Sequence, residues 1–175
     1  MAASDAIAIS GSPTHESKSR RLLVHGVDRL ARDGIRGRVV DLCDLPADDL
    51  LGRGRSPAIA DVLAAVAAAR LLLVATPVYR ASYSGLLKCF FDLLPPDALR
   101  GKVAIPIATG GSAAHSLVID HALRPLLGSV GALVVATGIY GTDAQFSAGG
   151  PDAALLAAVD RAVAEAQEVV AHGVR

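Results

Sequence analysis

The sequence predicts a doubly wound α/β fold, in which helices cover both faces of a five-stranded parallel sheet. Short runs rich in Val, Ile and Leu alternate five times with longer Ala- and Leu-rich stretches of helical periodicity. The middle run, Arg70–Ala75, is apolar on both of its faces, which is typical of a central parallel strand with helices on either side. A chain of 175 residues suits one such domain.

Five short runs supply the strands of this sheet. Each has the length and the β-branched or Leu content of a buried strand, and Gly34 and Gly37 turn the chain before the second one. The predicted strands are Ala6–Ser10, Arg38–Leu42, Arg70–Ala75, Lys102–Ala108 and Ala132–Thr137.

Periodicity and capping residues define the helices. The first helix carries its apolar residues on one face, the second opens with a capping hydroxyl and a proline at Ser56-Pro57, and the last has a single apolar stripe. The predicted helices are Ser19–Arg32, a helix beginning at Ser56-Pro57, Ser84–Leu94, Ser116–Leu127 and Pro151–Ala171. Because no linker or internal repeat interrupts the alternation, residues 1–175 are predicted to form a single domain.

Composition excludes several classes of partner. Lys and Arg number 17, as do Asp and Glu, so the chain has no net charge with which to attract nucleic acid or an anionic membrane. Apolar runs such as Leu71–Ala75 are too short to span a bilayer, and residues 1–10 lack the features of a secretory signal. Cys43 and Cys89 match no metal-binding spacing and indicate reduced thiols. We therefore expect a cytoplasmic protein without a metal site.

In doubly wound sheets, ligands bind at the carboxyl ends of the strands where the winding reverses. The loop after the first strand, Gly11–Ser19, combines hydroxyls and free N–H groups with a helix N-terminus, which favours an anion. It lacks both GxGxxG and GxxxxGK[ST], so a monophosphate such as that of FMN is favoured over a dinucleotide or a nucleoside triphosphate. Ser12, Ser17 and Ser19 would hold the phosphate, with Lys18 or Arg20 at the rim. The alternative is that these hydroxyls only cap the helix.

The loop after the third strand, Thr76–Gly85, is suited to a planar ligand. Pro77 stiffens the backbone, and Val78 and Tyr79 would present N–H groups and apolar surface to a flat ring. Tyr83 lies at the same edge. A proline-bearing turn with two surface tyrosines is the alternative.

The loop after the fourth strand contains adjacent glycines. Gly110 and Gly111 allow the backbone to approach a ligand closely, and their N–H groups could point at the pyrimidine edge of an isoalloxazine ring. A flexible turn is the alternative here, and His115 could contact the flavin or serve as a capping residue. Three such loops at one predicted crevice favour a ligand site over three coincidences.

Three runs resemble a known family: GSPxxxSxS at Gly11–Ser19, ATPVYxAxYSGxLKxxxDLLP at Ala75–Pro95 and LxGKVxxPxATGG at Leu99–Gly111. They are similar to NADPH-dependent FMN reductases, and in particular to the branch that serves alkanesulfonate monooxygenases. The resemblance implies a flavodoxin-like fold, reduction of free FMN by NADPH or NADH, and delivery of the reduced flavin to a separate flavin-dependent monooxygenase. It also implies a homodimer or homotetramer.

Carried over by position, the resemblance implies a set of cofactor-binding residues. Ser12, Ser17 and Ser19 would bind the phosphate; Pro77, Val78, Tyr79 and Ser84 would line the ring; and Thr109, Gly110 and Gly111 would lie at its polar edge. Ser10 and His115 complete the predicted set. Two positions depart from the family pattern. Thr14 stands where relatives often have Arg, and His121 stands where a close relative has Tyr. In that branch the resemblance places this position in an interrupted helix at a tetramer interface and links it to flavin exchange; an ordinary helical or interface histidine is the alternative.

The implied reaction is hydride transfer from nicotinamide C4 to flavin N5, which depends on stacking and distance and requires no acid or base from the protein. No catalytic residue is therefore predicted, and Arg80 and Lys18 are candidates for contacting a 2′-phosphate. Other functions remain open on this fold: an FMN-containing quinone or azo reductase, a flavodoxin-like electron carrier, or a protein that has lost its ligand. The neutral charge argues against the carrier.

Overall fold

A computed structural model describes residues 5–148 and 150–173 and confirms the doubly wound, flavodoxin-like α/β fold. Within these residues the sheet is parallel with strand order β2-β1-β3-β4-β5, and a further strand, β6, also pairs with β4. The strands of this sheet are β1 Ala6–Ser10, β2 Gly37–Asp41, β3 Leu71–Pro77, β4 Val103–Gly110, β5 Leu133–Val134 and β6 Ile139–Thr142. A small antiparallel pair follows, β7 Phe146–Ser147 and β8 Gly150–Pro151.

Six α-helices connect the strands within the described residues. They are α1 Lys18–Arg32, α2 Ala47–Leu50, α3 Pro57–Ala68, α4 Gly85–Phe91, α5 Arg124–Ser129 and α6 Ala153–His172. Capping side chains fix four of their starts: the predicted cap Ser56, and also Ser17, Ser84 and Asp152, each accept a backbone N–H of the first turn. Each such cap contributes about 1 kcal/mol to helix stability. No helix in the described part of the chain has the length and apolar character needed to cross a bilayer.

Buried side chains form one cluster on each face of the sheet. On one face, α1 and α6 cover the apolar residues of β1, β3 and β4. On the other, α3, α4 and α5 cover their alternate residues. Helix α1 approaches β3 closely at Gly26, where an added Cβ would lie 2.5 Å from Leu73 Cδ2. The glycine therefore lets the middle of α1 pack directly against β3.

The prediction of a continuous fifth strand over Ala132–Thr137 is wrong. The chain pairs with β4 at β5, leaves the ladder after Val135, and rejoins β4 as β6. Arg124 donates from Nη1 to the carbonyl of Val135 and from Nη2 to that of Ala136, each at 2.5 Å. Glu165 accepts the N–H groups of Ala136 and Thr137 at 2.5 and 3.0 Å. Side chains thus satisfy the backbone groups that a strand partner would otherwise take.

The predicted helix Ser116–Leu127 is also not a single helix. A 3₁₀ turn, Ala113–His115, is followed by a π-helical turn, Ile119–Leu123, and only then by α5. His121 lies in the π turn, so the interruption occurs at the position that departs from the family pattern. Arg124 follows this turn directly and donates a 2.7 Å hydrogen bond to Asp120 within it.

The other boundaries differ by a few residues. Strands β3 and β4 run two residues further than predicted, to Pro77 and Gly110, which brings them to the ligand edge. Helix α4 ends at Phe91 rather than Leu94.

Candidate functional site

Three loops meet at the carboxyl edge of the sheet. They are the first loop (Gly11–Ser17) after β1, the second loop (Val78–Ser84) after β3 and the third loop (Gly111–His115) after β4. The first and second loops are joined by a 2.6 Å hydrogen bond from the Ser84 hydroxyl to the Gly11 carbonyl. The second loop meets the end of β4 where Val78 N–H donates to Thr109 O at 2.7 Å. The three predicted loops therefore lie side by side at this edge of the sheet.

Hydroxyl groups surround the start of α1 in the first loop. Ser17 Oγ accepts the N–H of Arg20 at 3.1 Å and lies 3.2 Å from Ser19 Oγ. Ser12 Oγ accepts the N–H of Thr14 at 3.2 Å. Ser12 and Ser19 are buried, whereas residues 13–16 are exposed. The arrangement provides a shallow anion site at the N-terminus of a 15-residue helix.

Ser10 lies beneath the first loop and has a different environment. Its side chain is buried, and its Oγ has no partner with hydrogen-bond geometry among the described residues. The hydroxyl lies beside Asp41, its cross-strand neighbour in β2. Burial raises the pKa of Asp41, but hydrogen bonds and charge from Arg20, with help from Ser10, outweigh burial and lower that pKa overall.

Both cations expected at the rim of the first loop are already paired. Arg20 donates two hydrogen bonds to Asp41, from Nε at 2.7 Å and from Nη2 at 2.8 Å, and the bond to Asp41 raises the pKa of Arg20. Lys18 Nζ lies 2.8 Å from Asp143 Oδ1 and 5.7 Å from the centre of the Phe146 ring. An anion in the first loop would thus depend mainly on hydroxyls and backbone N–H groups.

The second loop contains a strained tight turn. The backbones of Tyr79 and Ser82 exchange two hydrogen bonds, at 2.9 and 3.0 Å, around Arg80 and Ala81. Both central residues have positive φ, at 49° and 62°, as a type I′ turn requires, yet neither is glycine. Residues held in this region store strain of about 1 kcal/mol or more each, and such strain occurs most often at functional sites. The Tyr79 side chain is half exposed beside this turn.

Ser84 closes the second loop and is fully committed to protein contacts. Its hydroxyl accepts the N–H of Leu87 at 3.1 Å besides donating to Gly11, and its own N–H donates to Thr76 Oγ1 at 3.0 Å. The residue is buried. Its hydroxyl, its N–H and its carbonyl, which accepts the N–H of Lys88 at 3.2 Å, are all used in protein hydrogen bonds, and its place in the site is to hold two loops together.

Gly110, which ends β4, and Gly111, which begins the third loop, have different surroundings. A Cβ added at Gly110 would lie 2.5 Å from Tyr140 Oη and 3.3 Å from Val78 Cβ, so protein atoms already occupy that space. At Gly111 the nearest atom would be Asp143 Oδ2 at 3.8 Å. Tyr140 Oη donates to the carbonyl of Ser112 at 2.7 Å and so fixes the path of the loop. Burial, together with Asp143, raises the pKa of Tyr140, which therefore stays a donor at neutral pH.

His115 and His121 line one open groove of about 470 Å³. The groove lies between the second loop, at Ala81 and Ser82, and the π turn, and Leu117 also lines it. Leu117 is 60% exposed, which is unusual for a leucine. The groove provides apolar and imidazole surface next to the crevice, enough for a second planar molecule.

The structure adds Asp41, Tyr140 and Asp143 to the residues identified from the sequence. Tyr140 lies in β6, and Asp143 directly follows that strand. The predicted fifth strand ended at Thr137, too early to bring either residue to the ligand edge. Asp41 ends β2, next to β1, and its position at a strand end was the signal available in the sequence.

Comparison with known proteins gives a consistent picture. Residues 5–147 match the family model for NADPH-dependent FMN reductases. The FMN reductase (NADPH) of Pseudomonas putida KT2440 is 40% identical over 165 residues, covering 93% of this chain and 84% of that protein. The NADH-dependent FMN reductase SfnE of Pseudomonas putida is 36% identical over 163 residues, covering 91% and 88%.

Solved structures of similar proteins are consistent with the family match. An apo NADH:FMN oxidoreductase, EmoB, superposes with a TM-score of 0.84 at 39% identity, covering 91% of this chain and 86% of that one. An archaeal flavodoxin at 12% identity has a TM-score of 0.61 over 93% of this chain and 96% of its own, and it supports the fold alone.

Proposed function

Because this chain belongs to the NADPH-dependent FMN reductase family, we propose that it supplies reduced FMN to a separate flavin-dependent monooxygenase that acts on sulfonates. The chain is an NAD(P)H:FMN oxidoreductase that uses FMN and NADPH or NADH. The observation that supports the site best is the meeting of a hydroxyl-rich helix N-terminus, a strained aromatic turn and an open glycine loop at one sheet edge.

The first loop would hold the phosphate of FMN. Ser12, Ser17 and Ser19 supply hydroxyls, and the first turn of α1 supplies N–H groups and the positive end of its dipole. Because Arg20 is bound to Asp41, its guanidinium fixes the edge of this loop and contributes less to neutralising the phosphate. Ser10 lies beneath the first loop and would affect the phosphate site only indirectly, through its neighbour Asp41.

The second loop and the glycines would hold the ring. Pro77, Val78 and Tyr79 provide its apolar wall, and Ser84 fixes that wall to the first loop. Thr109, Gly110 and Gly111 form the polar edge, where the absence of a side chain at Gly111 leaves room for a ring to approach the backbone. When bound there, the flavin supplies the hydride acceptor. Backbone N–H groups at that edge would stabilise the negative charge that develops on reduction.

The groove beside the second loop would receive the nicotinamide. His115 and His121 line it, and Arg80 lies at the adjacent turn. Arg80 makes no ion pair within residues 5–148 and 150–173, whereas Lys18 is bound to Asp143. We therefore favour Arg80 over Lys18 as the contact for a 2′-phosphate.

The remaining parts of the proposal concern partners. The recipient monooxygenase is inferred from the resemblance of the Ala75–Pro95 run to the sulfonate branch. Self-association into a dimer or tetramer is inferred from the family resemblance. A cytoplasmic location is supported by the free thiols of Cys43 and Cys89.

The deciding experiment is NADPH and NADH oxidation by flavin-free protein, with and without added FMN, followed by the same assay with a sulfonate monooxygenase present. Saturable oxidation that depends on free FMN, and sulfite release that depends on this chain, are the expected results. Tightly retained FMN with faster turnover on a quinone or azo dye would instead indicate a quinone or azo reductase. FMN binding without any oxidation would indicate an electron carrier.

A further inference from the structure

We propose that His15, Cys43 and Asp44 form a binding site for one Zn²⁺ ion or a divalent transition metal of similar chemistry. His15 lies in the first loop, and Cys43 and Asp44 lie in a single 3₁₀ turn that follows β2. Parallel strands β1 and β2 are adjacent, so their carboxyl-terminal loops bring these three side chains together. The proposal is independent of whether the first loop holds a phosphate.

The ligand atoms are already close to a coordination geometry. His15 Nε2 lies 3.0 Å from Asp44 Oδ1, and Cys43 Sγ lies 3.9 Å from the same oxygen. All three ligand atoms lie within 4.8 Å of one another. Ligand atoms around a tetrahedral Zn²⁺ are separated by roughly 3.3–3.6 Å, given the usual Zn–N, Zn–O and Zn–S bond lengths. Side-chain movements of about 1 Å would therefore complete the site.

A second carboxylate supports the histidine from behind. His15 Nδ1 lies 3.6 Å from Asp41 Oδ2, on the side of the ring opposite the Asp44 contact. Asp41 is itself held by the two hydrogen bonds from Arg20. Metal-binding histidines almost always direct their other ring nitrogen to a carboxylate or carbonyl, which fixes the ring for coordination. At 3.6 Å the His15–Asp41 contact is an ion pair and not a hydrogen bond, but it places a carboxylate where a metal-bound His15 would direct its second ring nitrogen.

The donor set selects the class of metal. One imidazole, one thiolate and one carboxylate suit Zn²⁺ and Co²⁺, whereas Mg²⁺ and Ca²⁺ prefer oxygen ligands only. The side chains of His15 and Asp44 are 55% and 61% exposed, so an ion can reach them from solvent. Three protein ligands leave the fourth position for water. On binding, the Cys43 thiol releases its proton and the resulting thiolate forms the metal–sulfur bond, so one proton appears in solution for each ion bound.

The test uses untagged, chelator-treated full-length protein without flavin, titrated with Co²⁺ as a spectroscopic probe and with Zn²⁺ as its competitor. We expect one Co²⁺ per chain, with intense visible bands of a tetrahedral site and a near-ultraviolet thiolate-to-cobalt band, both removed by Zn²⁺. Cys43→Ser should abolish the thiolate band. Asp44→Asn should weaken binding by about tenfold or more. Cys89→Ser, the same chemical change at the other cysteine, should leave the titration unchanged.

Two results would overturn the proposal: absence of a thiolate band in the wild-type protein, or a band that survives Cys43→Ser or disappears in Cys89→Ser. Circular dichroism establishes that each variant is folded. A second measurement needs no variant. Zn²⁺ should slow alkylation of Cys43 but not of Cys89, as followed by mass spectrometry, and equal rates at Cys43 with and without Zn²⁺ would contradict a site there.

Discussion

The hydroxyl of Ser84 donates a 2.6 Å hydrogen bond to the carbonyl of Gly11 and also accepts the N–H of Leu87. One buried oxygen thereby caps α4 and fixes the first loop to the second. Ser84, which the sequence predicts at the flavin ring, therefore also connects two of the loops that meet at this edge of the sheet.

Ser84→Ala should lower the free energy of unfolding by about 2 kcal/mol, because it removes a helix cap and leaves the Gly11 carbonyl without its donor. It should also weaken FMN binding, since the first loop loses its tie to α4. Urea denaturation and flavin fluorescence titration measure the two effects. Ser82→Ala, two residues away, is the control and should change stability by less than about 0.5 kcal/mol. Equal stability of the two variants would contradict this account of Ser84.

Gly110→Ala and Gly111→Ala should have different effects. The new methyl at position 110 would meet Tyr140 Oη at 2.5 Å and force the third loop to shift, whereas the methyl at position 111 finds only ordinary contact distances. We expect Gly110→Ala to destabilise the protein by about 1–3 kcal/mol and Gly111→Ala to act mainly on FMN affinity.

Tyr140→Phe provides a double-mutant cycle for this steric contact. Removing the hydroxyl that the new methyl would meet should reduce the cost of Gly110→Ala, giving a coupling free energy of about 0.5 kcal/mol or more. Thermal or urea unfolding of the two single variants and the double variant measures it. Additive effects would show that Tyr140 Oη is not what excludes a side chain at position 110.

The strained turn in the second loop predicts a substitution that stabilises the protein. Ala81 has φ 62°, so Ala81→Gly should relieve left-handed strain and raise the free energy of unfolding by about 0.5 kcal/mol after the entropy of the unfolded glycine is subtracted. The same change at Ala64, exposed in the middle of α3, should destabilise by about 1 kcal/mol. Urea denaturation distinguishes the two signs, and a loss of stability at both positions would mean that Ala81 is unstrained.

Arg80→Gln tests the proposed nicotinamide contact. If the guanidinium binds a 2′-phosphate, KM for NADPH should rise by about tenfold, the equivalent of one charged hydrogen bond. KM for NADH should stay the same. Arg53→Gln removes an exposed cation from the loop between α2 and α3 and controls for the change in net charge. An equal rise in KM for NADH would mean that Arg80 acts by maintaining the shape of the turn and not by binding the 2′-phosphate.

Glu165 predicts a pH dependence of stability. Burial raises the pKa of this carboxyl, but hydrogen bonds from Thr137 and Ala136 and the charge of Arg124 outweigh burial, so the pKa is lowered overall. Its stabilising contribution is complete above the pKa of about 4.3 in the unfolded chain and is lost as the pH falls through the lower folded value. The side chain is partly exposed, so we expect less than about 1 kcal/mol. The free energy of unfolding of Glu165→Gln, measured from neutral pH into the acid range, should depend less on pH than that of the wild-type protein. Glu168→Gln is the control and should keep the wild-type dependence.

Local signals in the sequence predicted much of this structure. The strands through β4 followed from short apolar runs, and the start of α3 followed from its cap, Ser56, because a cap acts within three residues of its own position. The three loops followed from the rule that ligands meet the carboxyl ends of parallel strands. These features depend on neighbours in the chain.

The features that sequence reasoning missed depend on distant partners. The break after β5 exists because Glu165, almost thirty residues further along, takes the N–H groups of Ala136 and Thr137. The contact of Tyr140 with Ser112 spans 28 positions. Likewise, the spacing of the cysteines could not show that Cys43 lies near His15, since the two are brought together only through the pairing of β1 with β2.

The break between β5 and β6 also affects how the sheet ends. An uninterrupted edge strand exposes a row of N–H and C=O groups that can template a strand from another molecule. Here Arg124 and Glu165 occupy those groups at Val135, Ala136 and Thr137, and β5 contributes only two residues. Between β5 and β6 the chain therefore presents no free row of backbone groups to a strand from another molecule, which leaves β6 as the longer edge strand on this side of the sheet.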